Sequence, residues 1–277
     1  EIPGLSPDRA DIIVAGAAVI SRLVRGLNTQ QIMVNERGIR DGLLLRMIAE
    51  LPGRSAKAQP PQPGNRIEWA RHFARKAHSN ERHCEQVATL ALQIFDGVKT
   101  RYDLPASSRD LLQAAAILHD IGYLISHAKH HKHAYHLIMH GELPGFSPHE
   151  VELIANVVRY HRKAFPRKRH ENLAYLDGPD RRLIARLSGI LRIAEGLDRT
   201  HSQAITGIKV RALQGRLRIS VDAPSLPQIE VADATRKADL FRQAFDTEVE
   251  LVWHPVGSRS RMNDGPRGPR LHVVGTG

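Results

Sequence analysis

The stretch AAAILHDIGYLISHAKHHKHAYHLI sets an imidazole and a carboxylate side by side, His119 and Asp120, at the end of an apolar helical pattern of Leu111, Leu112, Ala115, Ile117 and Leu118. Gly122 follows and is expected to end that helix. Two more polar residues fall on apolar helical stripes far away in the chain. His83 precedes Val87, Leu90 and Ile94 at helical steps, and Asp198 closes the stripe Leu183, Leu187, Leu191, Ala194. A carboxylate aimed into an apolar core is strongly penalised unless it is paired or bound to a cation. Three helices that each direct such a group inward predict one shared divalent metal, with His83, His119, Asp120 and Asp198 as its ligands. This imidazole and carboxylate set suits Mn, Mg, Fe, Co or Zn. Such a cation turns water into a nucleophile near neutral pH and neutralises phosphoryl oxygens, so His119 and Asp120 are the expected catalytic pair. Lys132, Arg162, Lys163 and Arg199 stand beside these residues in sequence and are expected to bind phosphate through charge-assisted hydrogen bonds.

The elements that must position these groups are mainly helical. Residues 6–27 read as a helix capped by Ser6 with Pro7 in its first turn, followed by a strand, a turn at Gly38 and a second amphipathic helix. Residues 51–67, rich in Pro, Gly and small polar residues, read as a linker. Residues 68–206 are helical, broken at YDLPASS, GELPGFSPHE and KAFPRKRHENLAYLDGPD. Ser147, Pro148 and Glu150 form the signature of a capped helix start. Residues 207–253 change period. GIKVRAL and RLRISVD predict a hairpin about Gln214-Gly215, PQIEVAD a third strand, ATRKADLFRQAFD a helix and TEVELVW a last strand. Residues 254–277 read as a basic disordered tail. The fold class is therefore mainly α with a small α+β segment.

The formal net charge is +11, from 40 Lys and Arg against 29 acids, which favours a polyanionic partner. The single cysteine, Cys84, excludes a disulfide framework, fits a reducing cytoplasm and is expected to be a packed thiol. No run is long enough for a membrane span and no export signal opens the chain, so a cytoplasmic location without integral membrane association is expected. The start of the chain reads as part of a longer protein.

The ordered set His83, His119-Asp120, Asp198 resembles the HD superfamily of metal-dependent phosphohydrolases, in which these positions bind a divalent metal. The strings HHKHAYHLI, LPGFSPHEVELIANVVRYHRK and RIAEGLDRT resemble the C-terminal half of the exopolyphosphatase/guanosine pentaphosphate phosphohydrolase (Ppx/GppA) family, over nearly all of residues 2–253. The resemblance implies an actin-like remnant in residues 1–50, an HD helical domain in 68–206 and an appended α+β domain in 207–253. It implies hydrolysis of polyphosphate or a guanosine polyphosphate, and a homodimer; nucleic acid is not the expected partner. It also implies that His133 and His161 bind a second metal or phosphate. Most of His127, His130, His131, His136 and His140 are expected to be solvent-exposed or bonded to backbone. The family's Gly-rich phosphate loops do not occur in this sequence. Three alternatives stay open: a phosphodiesterase acting on cyclic or other nucleotides, a polyanion-binding and dimerisation module without catalysis, and a metal-free scaffold.

Overall fold

Asn80 accepts a hydrogen bond from the His83 amide at 3.3 Å and thereby starts a helix whose first turn already carries a candidate ligand. The computed structural model describes residues 13–27 and 65–255. Its helices are α1 (Ile13–Gly26), α2 (Arg66–Lys76), α3 (Glu81–Val98), α4 (Ser108–Leu118), α5 (His130–His140), α6 (Pro148–Arg159), α7 (Gly178–Gly196), α8 (Gln228–Lys237) and α9 (Asp239–Phe245). Short 3-10 turns occupy Ile121–Leu124 and Glu171–Leu173, and the strands are β1 (Gly207–Leu213), β2 (Arg216–Ala223) and β3 (Glu248–Pro255). The expected Ser6 cap, the segment around Gly38, residues 51–64 of the linker and the tail from 256 lie outside the described residues. Helix α1 belongs to a unit of its own. Among the described residues no helix is long and apolar enough to cross a membrane.

From α2 onward the described chain belongs to one compact unit. Its core is built from the predicted stripes: Val87, Leu90 and Ile94 of α3, Leu111, Leu112, Ala115 and Leu118 of α4, and Leu187, Leu191 and Ala194 of α7 are all buried. Helix α6 begins as its sequence requires. Ser147 Oγ accepts from the Glu150 amide at 3.2 Å, the Glu150 carboxylate accepts from the Ser147 amide at 2.8 Å, and Pro148 takes the first turn. Cys84 is buried, and burial pushes its thiol well above the ordinary range, as suits a packed residue.

The three-stranded sheet has the order β1-β2-β3, with β1 and β2 an antiparallel hairpin and β3 parallel to β2. A parallel neighbour needs a crossover, which α8 and α9 supply. This corrects the expected third strand. Ile229 and Val231 mimic a period of two, but Ile229 is exposed, whereas Val231, Ala234 and Ala238 are buried at helical steps. Helices α8 and α9 pack on α7. Lys237 Nζ ties α8 there, lying 2.9 Å from Glu195 of α7 and 2.8 Å from Asp233 of α8. The α+β segment thus leans on the helix that leads to Asp198.

Gly122 does not end α4 through a left-handed residue; the helix stops at Leu118 and Gly122 sits inside the 3-10 turn. Its role is close approach. A Cβ there would collide with the backbone of His130 and Ala134, so glycine lets the first turns of α5 lie directly on the turn after His119-Asp120. We expect Gly122→Ala to destabilise the protein by roughly 2 kcal/mol or more through forced backbone displacement. Gly207→Ala, whose Cβ would meet nothing within 4 Å, is the control and should change the denaturant midpoint little.

Candidate metal centre

Four buried imidazoles share one pattern: Nδ1 is committed to a fixed acceptor and Nε2 is turned inward. His83 Nδ1 lies 2.8 Å from Asp198 Oδ2, His119 Nδ1 2.7 Å from Ala116 O, His161 Nδ1 2.6 Å from Val158 O, and His130 Nδ1 3.3 Å from His127 O. Carbonyl and carboxylate oxygens only accept, so an Nδ1 that faces one carries a proton, and in the neutral form of such a ring Nε2 holds the free lone pair. Those lone pairs gather about Asp120. Nε2 of His83, His119 and His130 lie 3.6, 3.4 and 3.6 Å from its carboxylate oxygens, and Nε2 of His130 and His161 face one another at 3.3 Å. His119 Nε2 is buried without a hydrogen-bond partner among the described residues. Acceptors converging on a buried carboxylate repel unless positive charge joins them, so this chain's own donor set fits a divalent cation.

The ligand-type atoms fall into two groups that share Asp120. Those of His83, Asp120 and His201 lie within 4.8 Å of one another, and so do those of Asp120, His130 and His161. Asp120 itself sits in the bridge region of backbone space, at φ −102° and ψ 1°. Burial pushes the His161 imidazole well below its ordinary range, with His119 and His130 acting the same way. Burial also lowers His130, against the pull of Asp120. Neutral imidazole is the ligating form, so both are ready to bind a metal near neutral pH.

The structure brings His83, His119, Asp120 and Asp198 together from three regions of the chain, with one difference of role. Asp198 faces His83 Nδ1 and accepts from the Gln203 amide at 2.9 Å and from Gln203 Nε2 at 3.2 Å, so here it orients the His83 ring. His161 lies in the second group. His133 belongs to neither group and is half-buried on α5; His130, one turn earlier, takes the inward place. Of the five histidines expected to be mostly solvent-exposed or bonded to backbone, His130 is buried and, beside its 3.3 Å approach to His127 O, lies in the second group. No periodicity marks it within a tract so rich in histidine; the deciding contact is the approach at Gly122. His201 lies on a loop and had no sequence signal of its own.

Of the four expected phosphate ligands, Arg162 stands nearest the centre, its Nη1 straddling the two ring nitrogens of His130 at 3.2 and 3.4 Å. Lys132, Lys163 and Arg199 are exposed, and Arg199 leans toward Asp233 at 4.0 Å. Tyr123 packs its ring 4.2 Å from that of His130, and burial with the nearby Asp120 charge pushes its hydroxyl up to about 12, which keeps it a proton donor at neutral pH.

The family profile described as Ppx/GppA phosphatase, domain III, matches residues 66–233, and that described as Ppx/GppA phosphatase family matches residues 1–51. The chain belongs to the Ppx/GppA phosphatase family. A guanosine-5'-triphosphate,3'-diphosphate pyrophosphatase of Pseudoalteromonas translucida (strain TAC 125) is 29% identical over 163 residues, which are 58% of this chain. The matched stretch spans 31% of that relative's length. The domain III match begins at Arg66, the first residue of α2, and takes in every residue of both ligand groups.

In this Ppx/GppA chain the loop bearing His161 and Arg162 is fixed by a buried cation. Arg192 of α7 donates from Nε to Tyr160 O at 2.9 Å and from Nη2 to Lys163 O at 2.9 Å and Ala164 O at 2.8 Å. Its Nη1 meets Asp239 of α9 at 3.0 Å. Replacing it strands the Tyr160 carbonyl, whose bond to Arg192 is buried, and removes two part-buried bonds to Lys163 O and Ala164 O; a buried acceptor left unsatisfied costs about 1–3 kcal/mol. Arg192→Ala is expected to lose at least ~3 kcal/mol in denaturant unfolding, whereas Arg218→Ala, which removes an exposed pair with Glu250, should cost no more than ~1 kcal/mol.

Proposed function

We propose that this chain is a C-terminal portion of a Ppx/GppA-type phosphatase whose helical region, of HD type, holds a divalent metal centre and hydrolyses phosphoanhydride or phosphoester bonds. The observation that carries this reading is the convergence of imidazole Nε2 atoms on the buried Asp120 carboxylate. The substrate class is a polyphosphate or a guanosine polyphosphate. Family membership supports the phosphatase chemistry, and the printed name of the Pseudoalteromonas relative supports a guanosine polyphosphate.

When bound, a divalent cation there supplies Lewis-acid neutralisation of phosphoryl charge and eases deprotonation of water. The protein's part is preorganisation. His83, His119, His130 and Asp120 offer the first donors, with His161 beside them, and Asp198 and the backbone carbonyls behind them fix ring orientation. Arg162 is the side chain best placed to bind a phosphate oxygen, and the Tyr123 hydroxyl can donate to another.

A second reading has a specific observation behind it. Lys163, Arg167, Lys168 and Arg169 are exposed on the loop that follows His161, a basic rim that suits capture of a polyanion without turnover. Polyphosphate affinity that survives metal removal and falls steeply with salt would favour that reading.

The discriminating experiment pairs metal analysis with turnover on the tag-free protein. Near-stoichiometric divalent metal and phosphate release from guanosine polyphosphate or polyphosphate are expected, both abolished in Asp120→Ala. Turnover that persists undiminished in that variant contradicts a catalytic role for the centre.

A further inference from the structure

His131, the second residue of α5, is 5% exposed and belongs to neither ligand group. Its ring stands nearly perpendicular to those of His130 and His161, with centroids 6.0 and 6.2 Å away. Of its two nitrogens only Nδ1 is both buried and without a hydrogen-bond partner among the described residues. That is the reverse of the four inward imidazoles, whose Nδ1 atoms face oxygen acceptors. An enclosed N–H left unmade is rarer in folded proteins than an enclosed acceptor, and positive charge nearby favours a lone pair. The proton of neutral His131 therefore belongs on Nε2, which makes this ring a donor where its neighbours are metal ligands.

The surroundings are cationic. Arg162 reaches the first residue of α5, its Nη1 3.2 Å from His130 Nδ1, and Arg159 lies over the Tyr135 ring at 5.3 Å, one turn beyond His131. Two guanidiniums thus bracket His131 along the helix. Burial, then the charges of His130, Arg162, Lys163 and Arg159, press its imidazole down to about 3, so it stays neutral. The backbone adds charge of the same sign. Among the described residues no side chain caps α5 at Lys129 and no acid stands in its first turn, so the positive end of the helix is left for another anion.

We propose that His131, Arg159 and Arg162, with the first turn of α5, form a phosphate subsite beside the metal centre. A helix start, two guanidiniums and a neutral donor together match the acceptor oxygens of one phosphoryl group. The subsite is made of the chain's own donors and stands without metal; its part in turnover rests on the metal-centre reading above. A metal beside Asp120 would take the phosphoryl group under attack and this subsite the next one along. The bond cleaved is then one between linked phosphates, a phosphoanhydride rather than a monoester.

The test titrates inorganic phosphate into the full, tag-free chain stripped of metal and reads affinity by phosphorus NMR at low ionic strength. Wild type is compared with His131→Phe, Arg159→Gln, Lys168→Ala and Asp120→Ala. Phenylalanine keeps a buried ring and removes both nitrogens, and thermal unfolding checks that the fold survives. His131→Phe is expected to weaken phosphate binding on the order of tenfold and Arg159→Gln by about three- to tenfold. Lys168→Ala, on the exposed loop, should change it by less than about twofold. Asp120→Ala should bind phosphate at least as well as wild type, because it removes a negative charge close by. Wild-type affinity in a folded His131→Phe overturns the inference; should that variant not fold, wild-type affinity in Arg159→Gln does so. An equal loss in Lys168→Ala overturns it too, since a diffuse basic surface would then attract the anion. If the phosphate losses appear as expected while no variant or wild type takes up metal, the metal-centre reading fails and the subsite stands.

Discussion

The arrangement turns on one electrostatic constraint: the carboxylate of Asp120 is buried at the meeting point of imidazoles that present lone pairs to it. Among the described residues His119 Nε2 has no hydrogen-bond partner. Water cannot solvate these groups as it would at a surface, and an unpaired buried charge is among the most costly features a protein can carry. A cation at that point converts mutual repulsion into shared coordination. The same burial that makes the centre expensive when empty strengthens electrostatic attraction to a metal and to the phosphoryl group it would face.

Much of the surrounding structure can be read as support for that point. Gly122 lets α5 come close enough for His130 to join the group. Arg192 gathers the carbonyls of residues 160, 163 and 164 and so fixes the backbone that carries His161. Asp198 holds His83 by its outer nitrogen. The α+β segment contributes through α8, whose Asp233 and Lys237 form an ionic cluster with Glu195, one turn before Asp198 on the way to the centre. Packing far from the chemistry thereby bears on ligand geometry through a few named contacts.

The parts legible in the sequence were those governed by local rules. The burial of His83 and the approach of α7 to Asp198 follow from helical periodicity, the start of α6 from the reciprocal Ser147 and Glu150 bonds, and the hairpin from alternation around Gln214-Gly215. What periodicity could not decide was settled by tertiary contact. Choosing His130 over His133 required knowing where α5 touches the 3-10 turn. The segment PQIEVAD has apolar residues two apart, and only packing against α7 reveals that Ile229 faces solvent and the helical spacing of Val231 and Ala234 faces the core. His201 stands on a loop whose left-handed backbone leaves no periodic trace, so no pattern could nominate it.

Anomalous diffraction from crystals grown with Mn²⁺ tests the central claim most directly, because it locates the ion without reference to activity. The account predicts a strong peak beside the Asp120 carboxylate, within coordination distance of the inward Nε2 atoms. A fully loaded crystal with no peak there, and manganese only at surface histidines such as His149, would contradict it.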